Sequence, residues 1–183
     1  MSPHSRTDPR LHPDEATDHI RGPAFAPVTV IEYGDFECPS CVQAQSALAI
    51  MAAHFGTQVR FVFRHFPLRE VHPHAELAAE ASEAAAAQGQ FWPMHDLLFA
   101  HSSHLKDKHL LDYAGQVGLD IARFQNEMND HVYLQRVQEH VQGGQQLGVR
   151  STPAFYVNGV FADVSFGLQH LQVSIDRALQ QRN

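Results

Sequence analysis

Two cysteines three positions apart, set where a strand-like run gives way to a helix-like one, constrain this chain more than any other feature. The run Val28-Thr29-Val30-Ile31 precedes Cys38-Pro39-Ser40-Cys41, and residues 42–55 after it are rich in Ala, Leu, Ile and Met at helical spacing. A C-x-x-C that opens a helix after a strand reads as a redox pair. Amides at a helix N-terminus carry partial positive charge and favour a thiolate at Cys38. Pro39 suits the first helical position, where its missing N–H costs nothing. Cys41, one turn on, falls on the same face as Cys38. Cys38 is therefore expected to attack and Cys41 to resolve.

Other uses of the pair are weaker. A structural disulfide between residues this close would close too short a loop to restrict much of the unfolded chain. A zinc site needs two further ligands, and the chain holds only two cysteines. His65, His72 and His74 have no spacing that demands a metal. No metal is expected, and the 14 histidines, including His72-x-His74 and His101-x-x-His104, read as solvated or capping.

With 183 residues, 44% of them hydrophobic, the chain can build one well-cored domain or a domain with a substantial insertion. A net charge of −7 with only 13 Lys and Arg gives no basic field for nucleic acid or anionic lipid. The first ten residues contain no apolar signal-like core, and no run is long enough to span a bilayer. The expected address is cytoplasmic, away from membranes. Thiols are kept reduced there, which favours catalysis over structure for a cysteine pair.

Taken in order, residues 1–22 are rich in Pro, His, Asp and Arg and read as a flexible arm. Residues 23–66 hold a strand (28–33), the helix after Cys38 and a second strand (58–66); Gly56 stops the helix. A right-handed crossover would set the two strands parallel. Glu32 stands out in the first strand. It reads either as a buried acid moving protons to and from Cys41 or as a strand-end carboxylate facing water, and spacing does not choose between them. Asp35 and Glu37 read as solvated loop charges.

Residues 67–147 turn wholly helical, with helices expected over 75–87, 91–101, 110–117, 121–128 and 132–147 and with Phe91 and Trp92 in the core. Strands return in 148–183, where 154–157 and 160–161 flank Asn158-Gly159, a strong hairpin signal. Pro153 just before them fits an edge strand or a cis turn, and leaves backbone beside it able to bind an extended peptide. A helix over 168–181 closes the chain.

Four stretches together resemble the DsbA-like thiol:disulfide oxidoreductases. They are Glu-Tyr-Gly-Asp-Phe-Glu-Cys-Pro-Ser-Cys (32–41), Phe-Arg-His-Phe-Pro-Leu (63–68), Gly-Gln-Phe-Trp-Pro-Met-His-Asp (89–96) and Gly-Val-Arg-Ser-Thr-Pro-Ala-Phe-Tyr-Val-Asn-Gly (148–159). The resemblance covers roughly residues 22 to 180. It implies an α/β thioredoxin fold, a central mixed sheet flanked by helices, with an inserted all-helical subdomain. By the same resemblance Cys38 is the exposed nucleophile, Cys41 its buried partner and Glu32 the buried acid. Pro153 becomes the cis-proline facing the disulfide, with Thr152, Pro39 and Ser40 completing the substrate-binding surface.

Well-known members of that family are exported and carry His where this chain has Ser40. Each unit by which a neighbour lowers the thiol pKa makes such a couple about 30 mV more oxidising, so losing an imidazolium shifts it toward the reducing end. The resulting expectation is a cytosolic reductase or isomerase acting on protein or small-molecule disulfides. It needs no bound cofactor beyond the Cys38–Cys41 disulfide and draws electrons from a thioredoxin or glutathione system. Rival expectations are a glutathione-dependent transferase or isomerase, against which Cys41 argues, and a non-catalytic chaperone or adaptor.

Overall fold

The computed structural model describes residues 8–181. Their contacts divide the chain into two units. One comprises the chain up to Gly34, Gln43–Arg64 and the chain from Gly143 onward; the other comprises Asp35–Val42 and His65–Gln142.

The first unit is built on a five-stranded sheet in the order β1-β3-β2-β4-β5. Its strands are β1 (His19–Arg21), β2 (Val28–Gly34), β3 (Val59–His65), β4 (Ala154–Val157) and β5 (Val160–Ala162). The β-branched run of β2 lies in the middle of the sheet, and Val28, Val30, Ile31 and Tyr33 are all buried, as a strand covered on both faces requires. β4 runs antiparallel to it, setting Val30 opposite Val157 and Glu32 opposite Phe155. Asn158 and Gly159 both take positive φ, 45° and 78°, the geometry of a two-residue hairpin that follows the twist of its strands. The Asn158 side chain pins this hairpin to β2: its Oδ1 accepts from the Thr29 amide at 2.8 Å.

Helix α1 (Pro39–Phe55) stops at Gly56, which takes φ +54°. From its Gln43 onward it supplies Ala44, Leu48, Met51 and Phe55 to the core, positions spaced three or four apart along one helical face. Phe155 and Val157 of β4 meet them there, with Leu171 and Ile175 of the closing helix α7 (Gln169–Gln180).

Residues 8–21 depart from the loose arm expected; residues 1–7 of that arm lie outside the described residues. β1 pairs antiparallel with β3, with Ile20 opposite Val62. Apolar content is not what holds this segment. The Arg64 guanidinium grips Asp18 at 2.8 and 2.6 Å, and further N–H groups reach the carbonyl oxygens of Arg10 and His12.

The second unit contains α2 (Ala75–Ala86), α3 (Phe91–Ala100), α4 (Asp107–Gln116), α5 (Ile121–Asn129) and most of α6 (Leu134–Gln146). α2 packs against α3, α4 and α5, and its Ala78, Ala79, Ala81, Ala84 and Ala85 are buried; side chains this small let neighbouring helices approach. α4 starts three residues earlier than its apolar spacing suggested, because its first turn is polar and exposed. Phe91 is buried, whereas Trp92 is half-buried and meets the rings of Phe91 and His95 edge-on, both at 5.0 Å. Among the described residues no helix is long and apolar enough to cross a membrane.

Candidate active site

Cys38 through Cys41 belong to the second unit. The Cys38 carbonyl accepts the Val42 amide at 3.1 Å, the first hydrogen bond of α1, while the Cys38 amide donates to the Asp35 carbonyl at 3.2 Å. Cys38 is therefore the N-cap residue, Pro39 the first helical residue, and Ser40 and Cys41 lie in the opening turn. A helix N-terminus carries partial positive charge, which favours the thiolate form of a cysteine placed there. Ser40 is exposed and offers a hydroxyl at the surface.

Cys41 is fully buried, as expected, but Cys38 is not the exposed nucleophile the resemblance implied: it is 6% exposed. Within its unit the loop is drawn inward at both Asp35 and Glu37. Asp35, expected to be solvated, is 1% exposed. Its Oδ2 accepts from the Leu68 amide and from the His72 ring, each at 2.8 Å, and its Oδ1 accepts from the Glu37 amide at 2.8 Å. Glu37 in turn accepts from the His74 amide and ring at 2.8 and 2.9 Å. Phe36 between them lies on Phe99, 4.7 Å between centroids, and edge-on to His95.

Two readings of the sequence are thereby corrected. The loop carboxylates are partnered rather than solvated, and His72-x-His74 supplies the partners. A signal was present: carboxylates two apart at 35 and 37 match imidazoles two apart at 72 and 74. Deeper in the same unit, the His65 ring meets Glu83 at 2.8 Å and stacks on His140, 5.4 Å between centroids. His65, His72 and His74 each place a ring nitrogen on a carboxylate.

Glu32, Thr152 and Pro153 belong to the first unit. Glu32 is 6% exposed and accepts from Gln45 Nε2 at 3.2 Å, so of its two readings the water-facing one does not hold. Thr152 is buried and Pro153 half-buried. The Thr152–Pro153 peptide bond is cis, and β4, which follows it, is an interior strand rather than an edge.

A family described as Thioredoxin matches residues 14–177. Among solved structures, the chain is similar to a thioredoxin-like oxidoreductase from Silicibacter pomeroyi DSS-3, with TM-score 0.79, 28% identity, and 94% of this chain and 97% of that one covered. It shares its fold with BdbD from Bacillus subtilis, with TM-score 0.82, 23% identity, and 92% and 96% covered. Among curated proteins it is 47% identical over 165 residues to a protein named Na(+)/H(+) antiporter NhaA 1 from Salinispora arenicola, covering 90% of this chain but 25% of that one. A Herminiimonas arsenicoxydans protein named Na(+)/H(+) antiporter NhaA is 42% identical over 146 residues, covering 80% and 23%. The chain spans about a quarter of the length of the curated relatives it matches.

Proposed function

The chain belongs to the thioredoxin family, with the fold of DsbA-type thiol–disulfide oxidoreductases, and on that premise we propose that it exchanges disulfides through Cys38 and Cys41. The observation that carries this reading is the placement of Cys38 as N-cap of α1 with Cys41 in the turn that follows. The Cys38 thiolate attacks one sulfur of a substrate disulfide, forming a mixed disulfide and expelling the other sulfur as thiolate. Cys41 then attacks the Cys38 sulfur, closing the Cys38–Cys41 disulfide and releasing the second substrate thiolate. Two electrons pass to the substrate, and the proton lost by Cys41 is taken up by Glu32 on its way to solvent.

Thr152 and Pro153 present backbone to an extended substrate, and Pro39 and Ser40 line its path. With a serine hydroxyl where an imidazolium would stabilise the thiolate, the couple works as a reductase or isomerase in the cytoplasm, re-reduced by a thioredoxin or glutathione system. The antiport named for the curated relatives is not carried over, because this chain matches only a quarter of their length.

Insulin reduction tests the reading. Cys38→Ser should abolish turnover and Cys41→Ser should accumulate a covalent adduct with substrate. Wild-type rates in both variants would overturn it.

A further inference from the structure

Asp35 and Glu37 bracket Phe36 immediately before the attacking cysteine, and a carboxylate close to a thiol opposes its ionisation. Both are bonded to the segment between β3 and α2. Asp35 Oδ2 accepts from the Leu68 amide and the His72 Nδ1–H, and Glu37 accepts from the His74 amide and the His74 Nδ1–H, all at 2.8 to 2.9 Å. A carboxylate only accepts, so in each pair the ring nitrogen carries the proton. Asp35 Oδ1 takes the Glu37 amide as well, which joins the two pairs into one network, and the Asp35 carbonyl accepts the Cys38 amide.

We propose that His72 and His74 are positioning residues for Cys38: by holding Asp35 and Glu37 on the 68–74 segment they set how readily the Cys38 thiol ionises. This rests on the reading of Cys38 as the nucleophile. The other charged or titratable groups on the segments involved are few. Arg69 and Glu76 pair at 3.2 Å, Glu70 is exposed, and Cys41 lies in the first turn of α1. On the Phe36 side stand the rings of His65 and His95, at 6.0 and 5.7 Å between centroids, the first joined to Glu83. None of these takes the Asp35 or Glu37 hydrogen bonds described.

The test is a pH titration of the ultraviolet thiolate absorbance in the full chain carrying Cys41→Ala, so that a single thiol is read. His72→Ala and His74→Ala should each move the midpoint up by about half a unit, as a released neighbouring carboxylate does. His74→Asn, whose amide N–H can stand near the position of Nδ1–H, should restore most of the shift and guards against a variant that fails to fold. Glu37→Gln added to His74→Ala should return the midpoint to its starting value, since the released charge is then gone. An unmoved midpoint in both alanine variants, or no rescue by Glu37→Gln, would overturn the proposal. The titration needs no substrate, so a wild-type chain inactive on insulin, with the shifts intact in the Cys41→Ala background, fails the functional reading alone. An active wild-type chain with unmoved midpoints in that background fails only this inference.

Discussion

Gln45, in the second turn of α1, donates from Nε2 to Oε1 of Glu32 on β2 at 3.2 Å. The bond fixes the orientation of a carboxyl that is 6% exposed, where burial works against its charge and a donor works for it. If Glu32 takes the proton of Cys41, Glu32→Gln keeps the shape and the capacity to hydrogen-bond but removes the base. Quenching the reaction with acid and weighing the protein by mass spectrometry should show the glutathione mixed disulfide resolving about a hundredfold more slowly. Unchanged resolution would mean that Glu32 moves no proton.

Ser40 gives a second expectation, in potential rather than rate. It is exposed in the opening turn of α1, so Ser40→His brings an imidazole there without disturbing a core. Where that imidazole is protonated it stabilises the thiolate and hence the reduced form. The couple should become more oxidising, by about 30 mV for each unit by which the Cys38 pKa falls. Equilibration with glutathione buffers reads the potential. A shift toward the reducing side would remove the basis for reading Ser40 as the mark of a reductase.

Asp18 holds the N-terminal segment by charge. Its side chain is 2% exposed, and that of Arg64 is 9% exposed. Burial works to lower the Arg64 pKa, but the hydrogen bonds it donates to Asp18, together with Tyr33 and the Asp18 charge, outweigh it and raise it. Removing one partner strands the other charge in the interior. Asp18→Asn should cost about 3 kcal/mol in urea unfolding, and amide exchange should quicken first in His19–Arg21 and its partners on β3.

That segment also marks where the sequence stopped being legible. β2, β4 and the hairpin between β4 and β5 were readable because β-branched runs and Asn158-Gly159 encode them locally, and α1 because Pro39 starts it and Gly56 ends it. β1 has one apolar residue, Ile20, among its three, and depends on a backbone ladder with β3 and on an Arg64–Asp18 pair distant in sequence. The same limit hid the redox loop. The placement of Cys38 and Cys41 at the start of α1 was evident from their spacing and context, yet the burial of Asp35 depends on Leu68 and His72, more than thirty positions away, which no local pattern reveals. The start of α4 was missed for a different reason: its first turn is exposed and carries no apolar period.

Alkaline stability should report on Tyr156. Burial, followed by the nearby Tyr33, pushes its phenol up to about 12, and its hydroxyl donates to the Leu147 carbonyl at 3.1 Å. An unfolded tyrosine ionises near pH 10. With the folded value above the unfolded one, the contribution is complete below about pH 10 and is lost as the pH climbs toward about 12. The urea midpoint should fall across that window, and Tyr156→Phe should flatten the fall. At neutral pH the same variant should cost about 1 kcal/mol for the lost hydrogen bond. A fall of equal steepness in wild type and variant would assign the alkaline loss to other groups, Tyr33 first, since burial raises its phenol too.

Gly34 ends β2 immediately before the redox loop, and its lack of a side chain is a packing requirement. A Cβ there would meet the Phe63 ring, 2.9 Å from Cζ and nearer still to Cε2, and would come within 3.3 Å of Glu32 Oε1. Phe63 is fully buried, so its ring has little room to withdraw. Gly34→Ala should therefore destabilise by about 1–3 kcal/mol, the usual cost of overpacking a core. Phe63→Leu should also destabilise when made alone, through the cavity it leaves. Combined, the two should cost less than their sum, because the smaller side chain vacates the space that the new methyl needs. Urea unfolding of the four proteins reads the coupling. Simple additivity would show that Phe63 does not set the limit at Gly34 and would turn attention to the Glu32 carboxyl on its other side.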